Sequence, residues 1–260
     1  MPNVEFVKAT ACGNDFLIIA SAAWSGDIHQ FTRRICDRHH GVGADGVEWV
    51  LPAQDVDLRI KLVNADGSDA EVSGNGTRCV AAWYCSRHET KLVRIETDAG
   101  VKTGELIARK DQTFEFRTAM GSPQVSAELA LGLFEDEARG TPVSMGNPHF
   151  VMFVADFAPD WRQLAAEIAT HRDFPQGTNV ELVRVANEHE IDVRIWERGV
   201  GETLSSGTGS SASAVAAIHS GRSKSPVLVR TPGGAQTVEW TSEVFLTGAA
   251  TLLCRGEFFS

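Results

Sequence analysis

The stretch Asn64 to Cys79, NADGSDAEVSGNGTRC, returns in looser form as ERGVGETLSSGTGSSAS from Glu197 to Ser213. Setting Ser73-Gly74-Asn75-Gly76 against Ser206-Gly207-Thr208-Gly209 gives an offset of 133 residues, about half of the 260-residue chain. Each copy runs into small apolar residues, Val80-Ala81-Ala82-Trp83 in the first and Ala214-Val215-Ala216-Ala217-Ile218 in the second. Both therefore read as a loop entering a buried helix. A single S-G-x-G is an ordinary turn with a serine cap. Two of them, half a chain apart and each opening an Ala-rich helix, make an internal repeat.

The first backbone N–H groups of a helix lack an intrahelical partner and sit at the positive end of its dipole, so a carboxylate is stabilised there. Glycine lets that backbone come close to a ligand. A side chain just before the helix, Ser73 or Ser206, points at whatever is bound. Two such ends facing each other are expected to hold one ligand carboxylate and to place one side chain on each face of the neighbouring carbon.

At 260 residues and 43% hydrophobic, the chain can bury a substantial core, and the repeat offset favours two domains over one. The expected division is 1–120 and 121–260, with Gly121-Ser122-Pro123 as linker and the last strand able to return to the first domain. A net charge of −10 leaves no basic stripe for nucleic acid. No run is long enough to span a membrane, and no signal peptide is read, so a cytoplasmic protein is expected. Cys12, Cys36, Cys79, Cys85 and Cys254 follow neither a disulfide framework nor a zinc pattern and read as reduced, mostly buried residues.

Taken in order, Val4–Ala9 and Phe16–Ala20 read as strands flanking a turn at Gly13-Asn14-Asp15. An amphipathic helix is expected over Asp27–Arg38, ended by the glycines from Gly41 to Gly46. Strands follow at Val47–Leu51 and Val56–Val63. After the first buried helix come Lys91–Thr97, Gly100–Ile107 and Thr113–Arg117. The second half repeats the plan: strands Val143–Met145 and Phe150–Val154, a helix near Trp161–His171, and strands Val180–Val185 and Glu190–Trp196. Pro226–Arg230, Thr237–Trp240, Val244–Thr247 and Thr251–Arg255 complete it after the second buried helix. Many short strands around one apolar helix per half point to an α+β fold whose sheet curls around the helix it buries.

GNDF at Gly13–Phe16, DRHHGVGADG at Asp37–Gly46, NADGSDAE at Asn64–Glu71, SGNGTRC at Ser73–Cys79, MGNPH at Met145–His149, GTNVE at Gly177–Glu181 and ERGVGETLSSGTG at Glu197–Gly209 are separate motifs spread along both halves of the chain. In their order and spacing the chain resembles the diaminopimelate epimerase family, within the wider group of proline racemase and the phenazine-biosynthesis isomerase. The resemblance implies two pseudo-symmetric domains, each an antiparallel barrel-like sheet around a central helix, with the site between them. It implies an isomerase that inverts the α-carbon of LL-diaminopimelate to the meso form for lysine and peptidoglycan precursor synthesis. No pyridoxal phosphate, other cofactor or metal is implied, and a homodimer is expected.

The resemblance also assigns residues. Ser73 and Ser206 stand where two cysteines exchange the α-proton, with His149 and Glu197 beside them. Asn14, Asn64, Asn147, Asn179, Glu197 and Arg198 match substrate-binding positions, and Gly74, Asn75, Gly207 and Thr208 match the helix starts that hold the reacting carboxylate. Serine is the departure: its hydroxyl is a far weaker acid than a thiol and needs a neighbour to take its proton. Three readings follow: an epimerase with its cysteines replaced by engineering or by drift, a divergent racemase, isomerase or dehydratase working through Glu197 or His149, and a non-catalytic amino-acid-binding protein.

Overall fold

In the computed structural model, which describes residues 3–133 and 137–259, the chain forms two compact units. Unit 1 is Met1–Thr118 with Gly248–Ser260, and unit 2 is Ala119–Thr247.

Unit 1 begins with β1 (Asn3–Ala11) and β2 (Asn14–Ala20), a hairpin in which Ala11 pairs with Asn14. Its two-residue turn is Cys12-Gly13, both left-handed at φ 47° and 86°, the geometry that matches the twist of the flanking strands. The turn therefore lies one step earlier than Gly13-Asn14-Asp15, and Asn14 is a strand residue. Helix α1 (Ile28–Cys36) follows, capped by Asp27, whose carboxylate accepts from the His29 and Gln30 amides. Then come β3 (Gly46–Leu51), β4 (Leu58–Asn64), β5 (Asp69–Ala70), helix α2 (Gly74–Cys85), β6 (Leu92–Thr97), β7 (Gly100–Lys110) and β8 (Thr113–Gly121).

Unit 2 contains β9 (Gln124–Val125), β10 (Leu129–Gly132), β11 (Glu137–Ser144), β12 (Pro148–Phe153), α3 (Trp161–Ala169), β13 (Asn179–Asn187), β14 (Glu190–Glu197), β15 (Gly201–Thr203), α4 (Gly207–His219), β16 (Val227–Thr231) and β17 (Gly234–Trp240). The chain ends in β18 (Val244–Phe259), a single 16-residue strand where two were expected. β18 pairs with β17 up to Thr247 and with β1 from Thr251 onward, and the strand runs through the residues between.

In unit 1 the hydrogen-bonded neighbours run β18, β1, β2, β3, β4, β6, β7, β8 and return to β18, which closes a barrel. Its pairing is mixed: β2–β3 and β4–β6 are parallel, each where a helix makes the crossover, while β18–β1, β1–β2, β3–β4, β6–β7 and β7–β8 are antiparallel. Unit 2 repeats the sequence of pairings through β11, β12, β13, β14, β16, β17 and β18, with β12–β13 and β14–β16 parallel.

The apolar residues divide into two layers per unit. Helix α2 contributes Cys79, Val80, Ala81, Ala82 and Cys85 to a core with Phe114, Phe116, Val93 and Ile95, while α1 packs Phe31 and Ile35 against Trp49 and Leu17. Strand β2, covered by both layers, is consequently buried at four consecutive residues from Phe16 to Ile19. In unit 2, α4 packs Ala212, Ala214, Val215, Ala216 and Ala217 against Val183, Val193 and Val229, and α3 packs Trp161 and Ile168 against Phe150 and Leu182. The serines inside α4 bond back one turn, Ser211 Oγ to Gly207 O and Ser213 Oγ to Gly209 O at 2.8 Å each, which lets a serine-rich helix be buried. All five cysteines are free; Cys36, Cys79 and Cys85 are buried, Cys12 is half-buried and Cys254 is exposed. Among the described residues no helix is long and apolar enough to cross a membrane.

Candidate active site

The residues singled out in the sequence fall into two groups, each around the N-terminus of a buried helix. In unit 1, β4 ends at Asn64, which turns through Gly67 at φ 83° into β5 and on to Ser73. Ser73 is extended at φ −121°, and its Oγ accepts from the Gly76 amide at 3.1 Å, so it is the N-cap of α2. A β-carbon on Gly74 would meet no atom within 4 Å, so the backbone here is open to an approaching ligand.

Asn75, buried in the first turn, donates to Asn14 Oδ1 at 2.8 Å, and Asn14 Nδ2 donates to Asp45 Oδ2 at 3.0 Å. Asp45 also accepts from the Asp15 amide at 3.1 Å. Lys8 and Arg38 both reach Asp15, and together they hold its carboxyl below the usual range against the opposing effect of burial. Asn14 is thus fixed by a charged frame and passes that order to the helix start. Asn64 is held separately, its Nδ2 donating to Ser68 Oγ at 3.0 Å.

In unit 2, Ser206 caps α4 in the same way at φ −139°, accepting from the Gly209 amide at 3.3 Å. Thr208 Oγ1 lies 3.4 Å from Ser206 Oγ and accepts from Asn147 Nδ2 at 3.3 Å. Asn147 Oδ1 is 3.0 Å from His149 Nε2, and His149 Nδ1 is 2.7 Å from Glu181 Oε1. These contacts form one chain from Ser206 to a carboxylate with no solvent exposure. Burial pushes the Glu181 carboxyl up; His149 opposes that shift and the charge of Glu197 adds to it.

Asn179 donates to Pro148 O at 3.1 Å and accepts the Arg198 amide at 2.9 Å, while Arg198 Nη1 donates to Gln176 O at 2.7 Å. Arg198 and Trp196 line a cavity of about 340 Å³ together with Ala169, Thr170, Phe174 and Gln176. Glu197 ends β14 opposite Gly201 and is half-buried. Gly207 stands close to Leu246 Cδ2, 3.3 Å from where its β-carbon would be.

The offset of 133 residues seen in the sequence holds here as geometry. Asn14 and Asn147 each bond the second residue of the capped helix, Asn75 and Thr208 respectively. Two further residues obey the same offset and were not singled out in the sequence, Glu48 and Glu181. Glu48 pairs with Ile18 and Leu62, and Glu181 with Val151 and Ile195, which are equivalent register positions. Each carboxyl takes the space of a side chain at the third helical residue. A β-carbon on Gly76 would overlap Glu48 Oε1, and one on Gly209 would lie 2.8 Å from Glu181 Oε1. The units differ in what faces the carboxyl, because the position of His149 is Phe16 in unit 1. Among the described residues Glu48, fully buried, has neither oxygen in a hydrogen bond, and burial alone raises it to about 8.

Chemically, each end offers free helix amides for an anion and a hydroxyl at its cap, backed by a buried carboxyl. Among the described residues no three His, Cys, Asp or Glu side chains are gathered to hold a metal ion.

Two solved structures share the fold of this chain at low sequence identity. A PhzF-family phenazine biosynthesis protein of Bacillus anthracis superposes with a TM-score of 0.74 at 15% identity, covering 100% of both chains. A hydroxyproline epimerase of Agrobacterium vitis gives 0.69 at 18% identity, covering 98% of this chain and 92% of that one. Sequence relatives are nearer. A diaminopimelate epimerase of Desulfitobacterium hafniense is 37% identical over 97% of each chain, and one of Desulforudis audaxviator is 39% identical over 98% of this chain and 99% of its own. The diaminopimelate epimerase family model matches residues 6–126 and 141–253. With relatives of this identity along almost its full length, and that family model matched on both sides of the repeat, the chain belongs to the diaminopimelate epimerase family.

Proposed function

We propose that this protein inverts the α-carbon of LL-diaminopimelate to give the meso isomer, without a cofactor, with Ser73 and Ser206 exchanging the proton on opposite faces. The observation that carries this reading is the pair of serine-capped helix starts, each with its first amides available and an asparagine tied to its second residue. Amides aimed at the carboxylate would stabilise the enediolate that forms when the α-proton leaves, the largest electrostatic contribution expected in such a reaction. Asn14, Asn64, Asn147, Asn179, Glu197 and Arg198 would bind the rest of the substrate, and holding both of its ends fixes the α-carbon against acid and base. In this reading the enzyme is a cytoplasmic homodimer serving lysine and peptidoglycan precursor synthesis.

The serines themselves favour a second reading, a protein that binds the diamino acid and leaves its α-proton in place. Chiral chromatography of LL-diaminopimelate after incubation separates the two. We expect slow formation of the meso isomer by the protein as it stands. Conversion should rise by about 10²-fold in Ser73→Cys/Ser206→Cys, because a thiol ionises far more readily than a hydroxyl at a helix N-terminus. Binding without any conversion by the parent would support the second reading, and absence of both binding and conversion in both forms would overturn the two together.

A further inference from the structure

We propose that Glu48 holds the proton for the Ser73 half of the site and passes it to and from the Ser73 hydroxyl, acting through that hydroxyl rather than on the substrate. The inference rests on the epimerase reading above and adds to it a proton store on the Ser73 side. Glu48 has no solvent exposure and no hydrogen bond to either oxygen among the described residues. Its carboxyl is aimed into the first turn of α2. Oε1 fills the place of a β-carbon on Gly76, and Ser73 Cβ lies 3.2 Å from that same place.

In a capping box the third helical residue is Glu or Gln and reaches back to the cap. Here that residue is Gly76, and the carboxyl arrives from strand β3 instead. Ser73 Oγ is an acceptor, from the Gly76 amide at 3.1 Å, in the hydrogen bond it makes there. Its own hydrogen is left to donate, and the two Glu48 oxygens, which make no hydrogen bond to it or to any other group among the described residues, are left to accept. A buried polar group without a partner is costly, and such groups call for an explanation in terms of chemistry or a ligand.

The surroundings favour a neutral carboxyl that ionises near working pH. The register neighbours of Glu48 are Ile18 and Leu62, both apolar. From α2 the titratable group that senses it is the Cys79 thiol, which burial pushes far up, and the neighbouring Arg78 donates to Asn75 Oδ1 and to Cys12 Sγ. Burial is the cause of the rise of Glu48 to about 8, close to where a group serving as both acid and base works well.

When the Ser73 face protonates the substrate, the enediolate electron pair takes the Ser73 proton to make the C–H bond, and the Glu48 proton moves to Ser73 Oγ, leaving a carboxylate. In reverse, the α-proton passes to Ser73 Oγ as the serine proton moves to Glu48. In unit 2 the equivalent carboxyl is already bonded to His149, so the two halves of the site differ in their proton stores.

The test is the α-proton exchange rate of LL- and meso-diaminopimelate in D₂O from pH 6 to 10, for the parent and Glu48→Gln, with infrared spectra of both. Glutamine keeps the shape and cannot carry the proton. We expect Glu48→Gln to lose about 10²-fold in exchange with KM nearly unchanged. The pH limb near 8 should vanish with it. The infrared difference should show a protonated carboxyl in the parent that ionises with the same midpoint. Exchange by Glu48→Gln at the parental rate and pH profile would overturn the inference and leave the epimerase reading standing. A Glu48 already ionised at pH 6 would also overturn it. A parent inert towards both isomers would remove the epimerase reading, and this inference with it.

Discussion

Gly76→Ala is expected to destabilise the protein by about 3 kcal/mol, the upper end of what overpacking a tight core costs. In an ordinary helix the same change is stabilising by about 1 kcal/mol, because alanine loses less backbone entropy and is the better helix former. The sign reverses here because the new methyl group falls on Glu48 Oε1, the end of a fully buried side chain on β3 that must shift to make room. Gly74→Ala, two residues earlier with nothing within 4 Å of the new carbon, should change stability by less than about 1 kcal/mol. Urea unfolding of both variants checks the contrast. A double-mutant cycle with Glu48→Ala assigns the cause, since removing the carboxyl should recover most of the loss. A Gly76→Ala protein as stable as its parent would mean that Glu48 does not occupy the first turn of α2.

His149→Ala is expected to cost about 3–5 kcal/mol, the range for stripping one partner from a fully buried pair. His149 and Glu181 both have side chains with no solvent exposure and meet at 2.7 Å. The loss should depend on pH in a definite direction. His149 is the influence that lowers the Glu181 carboxyl, so without it burial and the charge of Glu197 push that carboxyl further up. A carboxyl raised in the folded state is stable while protonated, and that stability is lost as pH rises through the folded value. Thermal or urea unfolding should therefore find the variant worse at pH 9 than at pH 5. An equal loss at both would show that the residue contributes packing rather than charge.

Much of this site was legible because helix starts are written locally. A serine, a glycine two positions before the next glycine, and an Ala-rich run identify a capped buried helix in a few residues, and both Ser73 and Ser206 prove to be such caps. Glu48 and Glu181 were not found, and the reason is physical. A single carboxylate in an apolar strand such as GVEWVL gives no local sign of whether it points to water or into a barrel. Carrying the 133-residue offset outward from the serines would have aligned the two and flagged them. Asn14 reads as a turn residue, and lies in a strand, for a related reason. Gly-Asn-Asp is a strong turn signal, yet the left-handed pair is Cys12-Gly13, and the following Asn14 is held in the strand by Ala11 and by Asp45. The parallel pairs β2–β3 and β4–β6 depend on which strands become neighbours, which no short window of sequence contains.

The central claim is that two serine hydroxyls, one at each capped helix, act on opposite faces of one α-carbon. Its most direct test follows deuterium in the first few per cent of conversion of LL-diaminopimelate in D₂O. Two separate acids and bases predict that meso product carries deuterium at the inverted carbon while the remaining LL substrate carries none. Deuterium appearing in the LL substrate as fast as in the product would show one group doing both steps, and would contradict the claim.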